Sequence, residues 1–274
     1  MRQKIAVVAG WLLFLAALGG VSLLAGPEPD SGDGPVRVIF FQTGEDADAV
    51  LLYQNGAAVL IDTGTDADAE HILDVMEECQ VKRLNYLILT HKAADHVGGA
   101  EAVLQKIPVD CVVESGFEEP DERMLALNER IRQKKIPILY PGHTQRLRAG
   151  RMRLLVYPPL EKNYNVSSNY SLAVLVQHGK VNMIFAGDAL RKRSEELLMI
   201  DWPEIDLYKI PHHARGNACS GELFDRLAPD YAVATSGQAD EVIVRAAEKN
   251  GTRLFYTAEG DCIFYSDGKQ LTVE

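Results

Sequence analysis

The sequence predicts an α/β domain in which two β-sheets pack face to face with helices on the outside. Three observations predict it. Each half of the chain opens on a strand-rich meander, each meander gives way to alternating strand and helix patterns, and four separate strand ends carry histidine or aspartate. An apolar stretch precedes this body at the N-terminus.

With 274 residues the chain has room for one large domain or two modest ones. Hydrophobic residues make up 47% and charged residues 24%, ordinary for a globular chain, which excludes long disorder. The formal net charge of -11 argues against broad nonspecific nucleic-acid binding, which depends on neutralising phosphates. A local basic groove stays open.

Met1-Arg2-Gln3-Lys4 supplies positive charge, and Ile5 to Gly26 then carries none. A membrane-spanning helix needs about 20 such residues. Pro27 to Gly34 is polar and rich in proline and glycine, so it reads as a linker. The predicted organisation is a membrane anchor or signal peptide over 1–26, a linker over 27–35 and the folded domain over 36–274. The length of the apolar run favours an uncleaved transmembrane helix. Cleavage near Ala17-Leu18-Gly19 would make it a signal segment and the body a secreted protein. Basic residues tend to stay inside, so in both cases the body is expected to be extracytoplasmic.

Within the body, Val36 to Phe41, Ala49 to Tyr53 and Ala57 to Ile61 read as strands, the last two joined by an Asn55-Gly56 turn. Ile72, Val75 and Met76 show helical spacing inside Ala67 to Cys79. Tyr86 to Leu89 is a short apolar strand, Gly99 to Ile107 a helix, Cys111 to Val113 a strand and Pro120 to Lys134 an exposed, charged helix. The meander returns with strands at Met152 to Tyr157, Leu172 to Gln177 and Val181 to Ala186. Helices over Ala189 to Met199, Leu223 to Leu227 and Glu241 to Asn250 alternate with strands over Leu207 to Ile210, Tyr231 to Thr235 and Arg253 to Tyr256. Cys262 to Tyr265 and Gln270 to Val273 form a closing hairpin. Cys79, Cys111, Cys219 and Cys262 make no CxxC pair, which excludes a zinc knuckle. They read as free buried thiols, although an extracytoplasmic domain leaves a disulfide open.

The chemistry concentrates at strand ends. Leu89-Thr-His91-Lys-Ala-Ala-Asp95-His96-Val-Gly-Gly99 places three good metal ligands between a buried strand and a helix. Phe185-Ala-Gly187-Asp188 ends another strand, where Asp188 alone could equally cap the following helix. Tyr208-Lys-Ile-Pro211-His212-His213 ends a third, and Asp62 a fourth. A metal needs ligands converging from different elements, so one shared edge explains all four. Two basic runs, Arg130 to Lys135 and Arg146 to Arg153, read as solvated faces, because acidic residues interleave nearby.

Taken in order, these residues resemble the metallo-β-lactamase superfamily, and more narrowly the hydrolase domain of ComEC-type competence proteins and their free-standing exported relatives. The matching stretches are Phe40 to Gly44 with Asp48-Ala49, Leu60-Ile-Asp62-Thr-Gly64, Leu89 to Gly99, Asn169-Tyr-Ser171-Leu172, Ala186 to Ala189, Lys209 to His213, and Pro229-Asp-Tyr with the Gly-Asp-Cys262 end. The resemblance covers Val36 to the C-terminus and implies a four-layer αββα sandwich with the metal site at one edge of both sheets. It implies Asp95, His96, Asp188 and His213 as ligands of one metal, with Asp62 orienting a ligand histidine and His212 as support or substrate contact.

Departures from the family pattern are uneven. Ala93 stands where the HxHxDH motif has its second histidine, and no mid-chain histidine matches the family's third motif well, His143 being the candidate. His91 is thus the surviving ligand of the other metal. The HHGS end of ComEC-type domains reads His212-His213-Ala214-Arg215. One intact and one gutted site are expected, holding one ion per chain, zinc by default with manganese as the alternative. The function expected is hydrolysis of a phosphodiester, a small molecule or nucleic acid such as DNA, with Asp95 and Asp188 as catalytic carboxylates and Arg215 near the phosphate. The alternative is a catalytically inactive binding protein tethered at the membrane. Convergence of the four ligands favours the hydrolase; a diverted His213, or a cavity filled by Arg215, favours the binding protein. The N-terminal segment makes the membrane a partner; no protein partner is legible.

Overall fold

A computed structural model describes residues 34–44, 46–116 and 119–274. The predicted anchor over 1–26, and all but the end of the linker, lie outside the described residues. Among the described residues no helix is long and apolar enough to cross a membrane.

β1 (Val36–Phe40), β2 (Val50–Gln54) and β3 (Ala57–Ile61) form the expected meander, with positive φ at Asn55 and Gly56 in its tight turn. The chain then alternates through α1 (Ala69–Glu78), β4 (Leu84–Leu89), α2 (Ala94–Val97), α3 (Ala100–Lys106), β5 (Val109–Glu114), α4 (Glu122–Gln133) and β6 (Ile138–Leu139). β3 to β6 are parallel. A second meander follows: β7 (Gln145–Ala149), β8 (Met152–Tyr157), β9 (Ala173–His178) and β10 (Val181–Phe185). α5 (Arg191–Leu198), β11 (Leu207–Lys209), α6 (Ser220–Leu227), β12 (Tyr231–Ala234), α7 (Glu241–Asn250) and β13 (Arg253–Tyr256) alternate after it, with β10 to β13 parallel. β14 (Cys262–Ser266) and β15 (Leu271–Val273) close the chain.

One sheet has eight strands, in the order β15-β14-β1-β2-β3-β4-β5-β6; the other has seven, in the order β13-β12-β11-β10-β9-β8-β7. Strand alternation decides what each face touches. Val36, Val38 and Phe40 enter the core between the sheets, where Val174, Met183 and Phe185 meet them. Ile39 and Phe41 point the other way, against Ile72, Met76 and Val103 of the helices. Ile184 and Tyr208 do the same for the second sheet, against Phe224 and Ile243. Both faces of each sheet are therefore covered, and this is why the central strands read as continuous apolar runs. The result is helix, sheet, sheet, helix.

Two features go beyond the sequence reading. The closing hairpin joins the first sheet, because β14 pairs with β1. The basic run Arg146 to Arg153 contains β7, an edge strand in which exposed Arg146 and Arg148 alternate with Leu147 and Ala149. Charge on an edge strand discourages pairing with other chains, which fits the solvated face expected there. All four cysteines are free.

Candidate metal centre

The C-terminal ends of β3, β4, β10 and β11 meet at one edge of the sandwich. Each delivers a predicted residue there: Asp62 after β3, His91 after β4, Asp188 after β10, and His213 in a short 3-10 turn after β11. Asp95 and His96 come from the single turn of α2. Asp95, His96, Asp188 and His213 each offer one ligand atom, all within 4.8 Å of one another.

Backbone packing fixes these positions. The amide of Thr63 donates to the carbonyl of His96 at 2.7 Å, stitching the end of β3 onto α2. A Cβ on Gly99 would lie 2.5 Å from the Thr63 carbonyl oxygen, so the second glycine of the motif is what lets the two segments touch. Gly187, with φ +50°, packs against Ser171 and Thr90, and the Asp188 amide donates to Ser171 Oγ at 3.0 Å. Ser171 is thus the mid-chain side chain beside Asp188. His143 is exposed and takes no part. His212, His213 and Ala214 all have positive φ, of 52°, 53° and 63°. The turn keeps a left-handed backbone without the family glycine, at roughly 1–2 kcal/mol per residue.

His96 Nε2 lies 3.2 Å from Asp188 Oδ1 and 4.0 Å from Asp95 Oδ2. His213 Nε2 lies 3.5 Å from Asp188 Oδ1 and 3.3 Å from Asp95 Oδ2. Neither imidazole nitrogen nor Asp188 Oδ1 makes a hydrogen bond among the described residues, although all three are shielded from solvent. With bond lengths near 2.1 Å, the edge of a tetrahedral zinc site is about 3.4 Å. The observed separations are those of ligands around a common ion. Buried polar atoms without partners are costly, and a divalent cation satisfies these together. His91 stands beside the four: its Nε2 also makes no hydrogen bond among the described residues and lies 3.8 Å from Asp188 Oδ2. The ring centroids of His91 and His96 are 4.1 Å apart.

A second ring of groups holds the first. His96 Nδ1 bonds Asp62 Oδ2 at 2.8 Å, and Thr90 donates to both Asp62 oxygens at 2.7 Å. Asp62 thus contacts the ring nitrogen of His96 that faces away from the cluster. His213 Nδ1 lies 3.2 Å from Thr235 Oγ1, which donates to Asp48 Oδ1 at 2.5 Å. Asp48 also pairs with the buried ammonium of Lys209. Asp48, Lys209 and Thr235 were not among the predicted site residues. A lysine inside the apolar run Leu207 to Ile210 was the available signal, since a buried charge requires a partner.

The electrostatics follow from burial and these carboxylates. Burial opposes protonation of His96, but Asp188, Asp62 and Asp48 outweigh it and raise its pKa well above the usual value. Burial also works against His213, yet Asp48, with Asp188 and Asp95, raises it to about 11. At His91 the same kind of support from Asp188, Asp95 and Asp48 is outweighed: burial first, then the charge of His96, lowers it to about 3. Without metal, protons on His96 and His213 balance the carboxylates. A bound metal must displace them.

His212 is partly buried, and Arg215 is exposed and paired with Asp46 at 2.9 Å. Arg215 does not fill the cluster, and His213 points into it.

The sequence pattern of the metallo-beta-lactamase superfamily matches residues 42–235. ComE operon protein 3 of Bacillus subtilis is 26% identical over 262 residues, covering 86% of this chain and 33% of that protein. Recombination protein 2 of Haemophilus influenzae is 26% identical over 197 residues, covering 69% of this chain and 23% of that protein. Competence protein ComA of Neisseria gonorrhoeae is 28% identical over 221 residues, 76% of this chain and 29% of that protein. The chain spans a third or less of the length of these relatives. Among solved structures, the metallo-beta-lactamase fold protein YhfI of Bacillus subtilis superposes with a TM-score of 0.59 at 13% identity, covering 85% of this chain and 100% of that one. The metallo hydrolase Igni18 of Ignicoccus hospitalis gives 0.55 at 14%, covering 84% and 98%. Fold, strand-end ligands and sequence pattern agree, and the chain belongs to the metallo-β-lactamase superfamily of metal-dependent hydrolases, with ComEC-type competence proteins among its relatives.

Proposed function

We propose that this protein is a metal-dependent phosphodiesterase working with a single ion held by Asp95, His96, Asp188 and His213. One observation carries the reading: three buried ligand atoms without hydrogen bonds among the described residues, on His96, His213 and Asp188, converge with Asp95 at ligand spacing. A divalent cation there supplies an acidified water and polarises a phosphoryl oxygen. Zinc suits two imidazoles and two carboxylates, and manganese is the alternative.

The chain's own residues divide the remaining work. Asp95, whose side chain is 35% exposed, faces the approaching substrate, and with Asp188 it orients the attacking water and takes its proton. His91 stays neutral down to a pH of about 3, so its unpartnered Nε2 remains free to accept or donate one hydrogen bond at the reacting group. Arg215 sits at the rim for a phosphate, and half-buried His212 borders it. Ala93 offers no ligand atom and His143 stands exposed outside the cluster, which supports one ion and not two. Relatives named for competence and recombination support a nucleic-acid phosphodiester over other esters. The positive N-terminus and the apolar run behind it support a membrane-anchored, extracytoplasmic placement, with secretion after cleavage as the alternative.

The test is hydrolysis of bis(p-nitrophenyl) phosphate by the full-length chain with zinc or manganese. Asp95→Asn is expected to lower kcat at least 100-fold while leaving the far-ultraviolet circular dichroism unchanged. A metal-loaded chain that is inert on this ester and on DNA would instead support the tethered binding protein.

A further inference from the structure

Next to the metal cluster, where the ends of β4 and β5 meet the first turns of α4, lies a cavity of about 220 Å³. It is smaller than the ~300–1,000 Å³ pockets that enclose a whole small ligand, so it suits one group of a larger substrate. His91 and Glu114 both line it. Glu114 is directly opposite Leu89 in the β4–β5 pairing, and hence one strand over from the metal loop.

The cavity's polar atoms are unusual. Glu114 is 3% exposed, yet its Oε1 has no hydrogen-bond partner among the described residues. Ser115 Oγ and Asn128 Oδ1 are in the same condition. All three residues line the cavity. Nothing in the metal chemistry uses them. Once ionised, the Glu114 carboxylate is an acceptor, as is the amide oxygen of Asn128, and a hydroxyl can be either. The nearby Lys92 ammonium is engaged with the Glu119 carbonyl at 2.8 Å. These unpartnered atoms of Glu114, Ser115 and Asn128 therefore ask for a ligand that brings donors. Leu89, Met124 and the ring of Tyr140 supply apolar surface against which a flat group can lie.

We propose that this cavity is a base-recognition subsite that takes the Watson–Crick edge of a guanine from the substrate whose phosphodiester lies at the metal cluster. Guanine presents a ring N–H and an amino group side by side, two adjacent donors for Glu114 and Asn128. Thymine's single N–H sits between two carbonyls, which would face the same acceptors. Adenine and cytosine offer an amino group flanked by ring acceptors. The inference rests on the phosphodiester reading, and it gives a degenerate hydrolase a preference for guanine beside the scissile bond.

The test is equilibrium dialysis of the full-length chain against dGpdG and dTpdT above pH 7, where Glu114 is ionised, with EDTA present so that no hydrolysis occurs. dGpdG is expected to bind at least tenfold more tightly. Glu114→Gln keeps the shape but can turn a donor into the cavity; Asn128→Leu removes the second acceptor. Each is expected to cut the preference to threefold or less while leaving metal content unchanged. Equal affinities, no binding of either dinucleotide, or a preference that survives both substitutions overturns the subsite. Because dialysis is run without metal, a chain that prefers dGpdG yet binds no metal sinks the hydrolase and leaves the subsite standing.

Discussion

His91, His96 and His213 are all buried in one cluster, yet their proton affinities run in opposite directions. The difference is the balance at each ring: the carboxylates outweigh burial at His96, and at His213 they do so through direct hydrogen bonds, while at His91 Asp188, Asp95 and Asp48 are outweighed by burial and the charge of His96. Lys209 is the fixed cation of this network and Asp48 its counterion. Removing one partner strands a buried charge, a loss of about 3–5 kcal/mol. Lys209→Met should therefore lower the unfolding free energy by roughly that amount in urea titrations, and adding Asp48→Asn should restore much of it. A double variant no more stable than the single one would contradict this pairing. The candidate ligands were legible because His and Asp crowd into short runs at strand ends. Asp48 and Thr235 were not, because an aspartate ahead of a strand acquires meaning only through partners far along the chain.

At the scale of elements, the loop between β4 and α3 is the working part. It carries His91, Asp95 and His96, and the Thr63 bond to the His96 carbonyl presses it onto the end of β3. Gly99→Ala would put a methyl against the Thr63 carbonyl oxygen. Overpacking of this kind costs about 1–3 kcal/mol, and any relief must move α2. The expected outcome is a lower Tm together with metal affinity weakened at least tenfold, read by thermal melts and metal titration. A variant that loses stability but keeps its affinity would show that the ligands are held by their side-chain partners alone. Long strands and helices were legible from period and turn chemistry. β6 is too short to show a period, and the arginines of β7 hid an alternation whose inward residues are Leu147 and Ala149.

For the whole molecule, two meander-then-α/β halves were legible, and so was their face-to-face packing. That β14 would return to β1 was not, because edge pairing is decided by which strand is left open once both sheets have formed. Burial of Glu114 has a consequence at this scale. Its acid is raised to about 7 from 4.5, chiefly by burial and against hydrogen bonds from Asn128 and Tyr140. The folded state thus holds a proton that the unfolded chain releases between those values. The stability this proton contributes is full below about pH 4.5 and is lost as pH rises through 7, an effect of up to about 3 kcal/mol. Glu114→Gln removes the titration, so its stability relative to the parent should climb between pH 4.5 and 7.5 in urea unfolding. A constant difference would place the carboxylate in solvent.

The central claim is that Asp95, His96, Asp188 and His213 hold a single catalytic ion. The most direct measurement is the metal content of the full-length chain, purified without a metal-affinity tag and dialysed against zinc or manganese. About one divalent ion per folded chain, lost in His213→Ala and retained in Arg215→Ala, is the result predicted. A folded chain that stays free of metal under both ions would contradict the account.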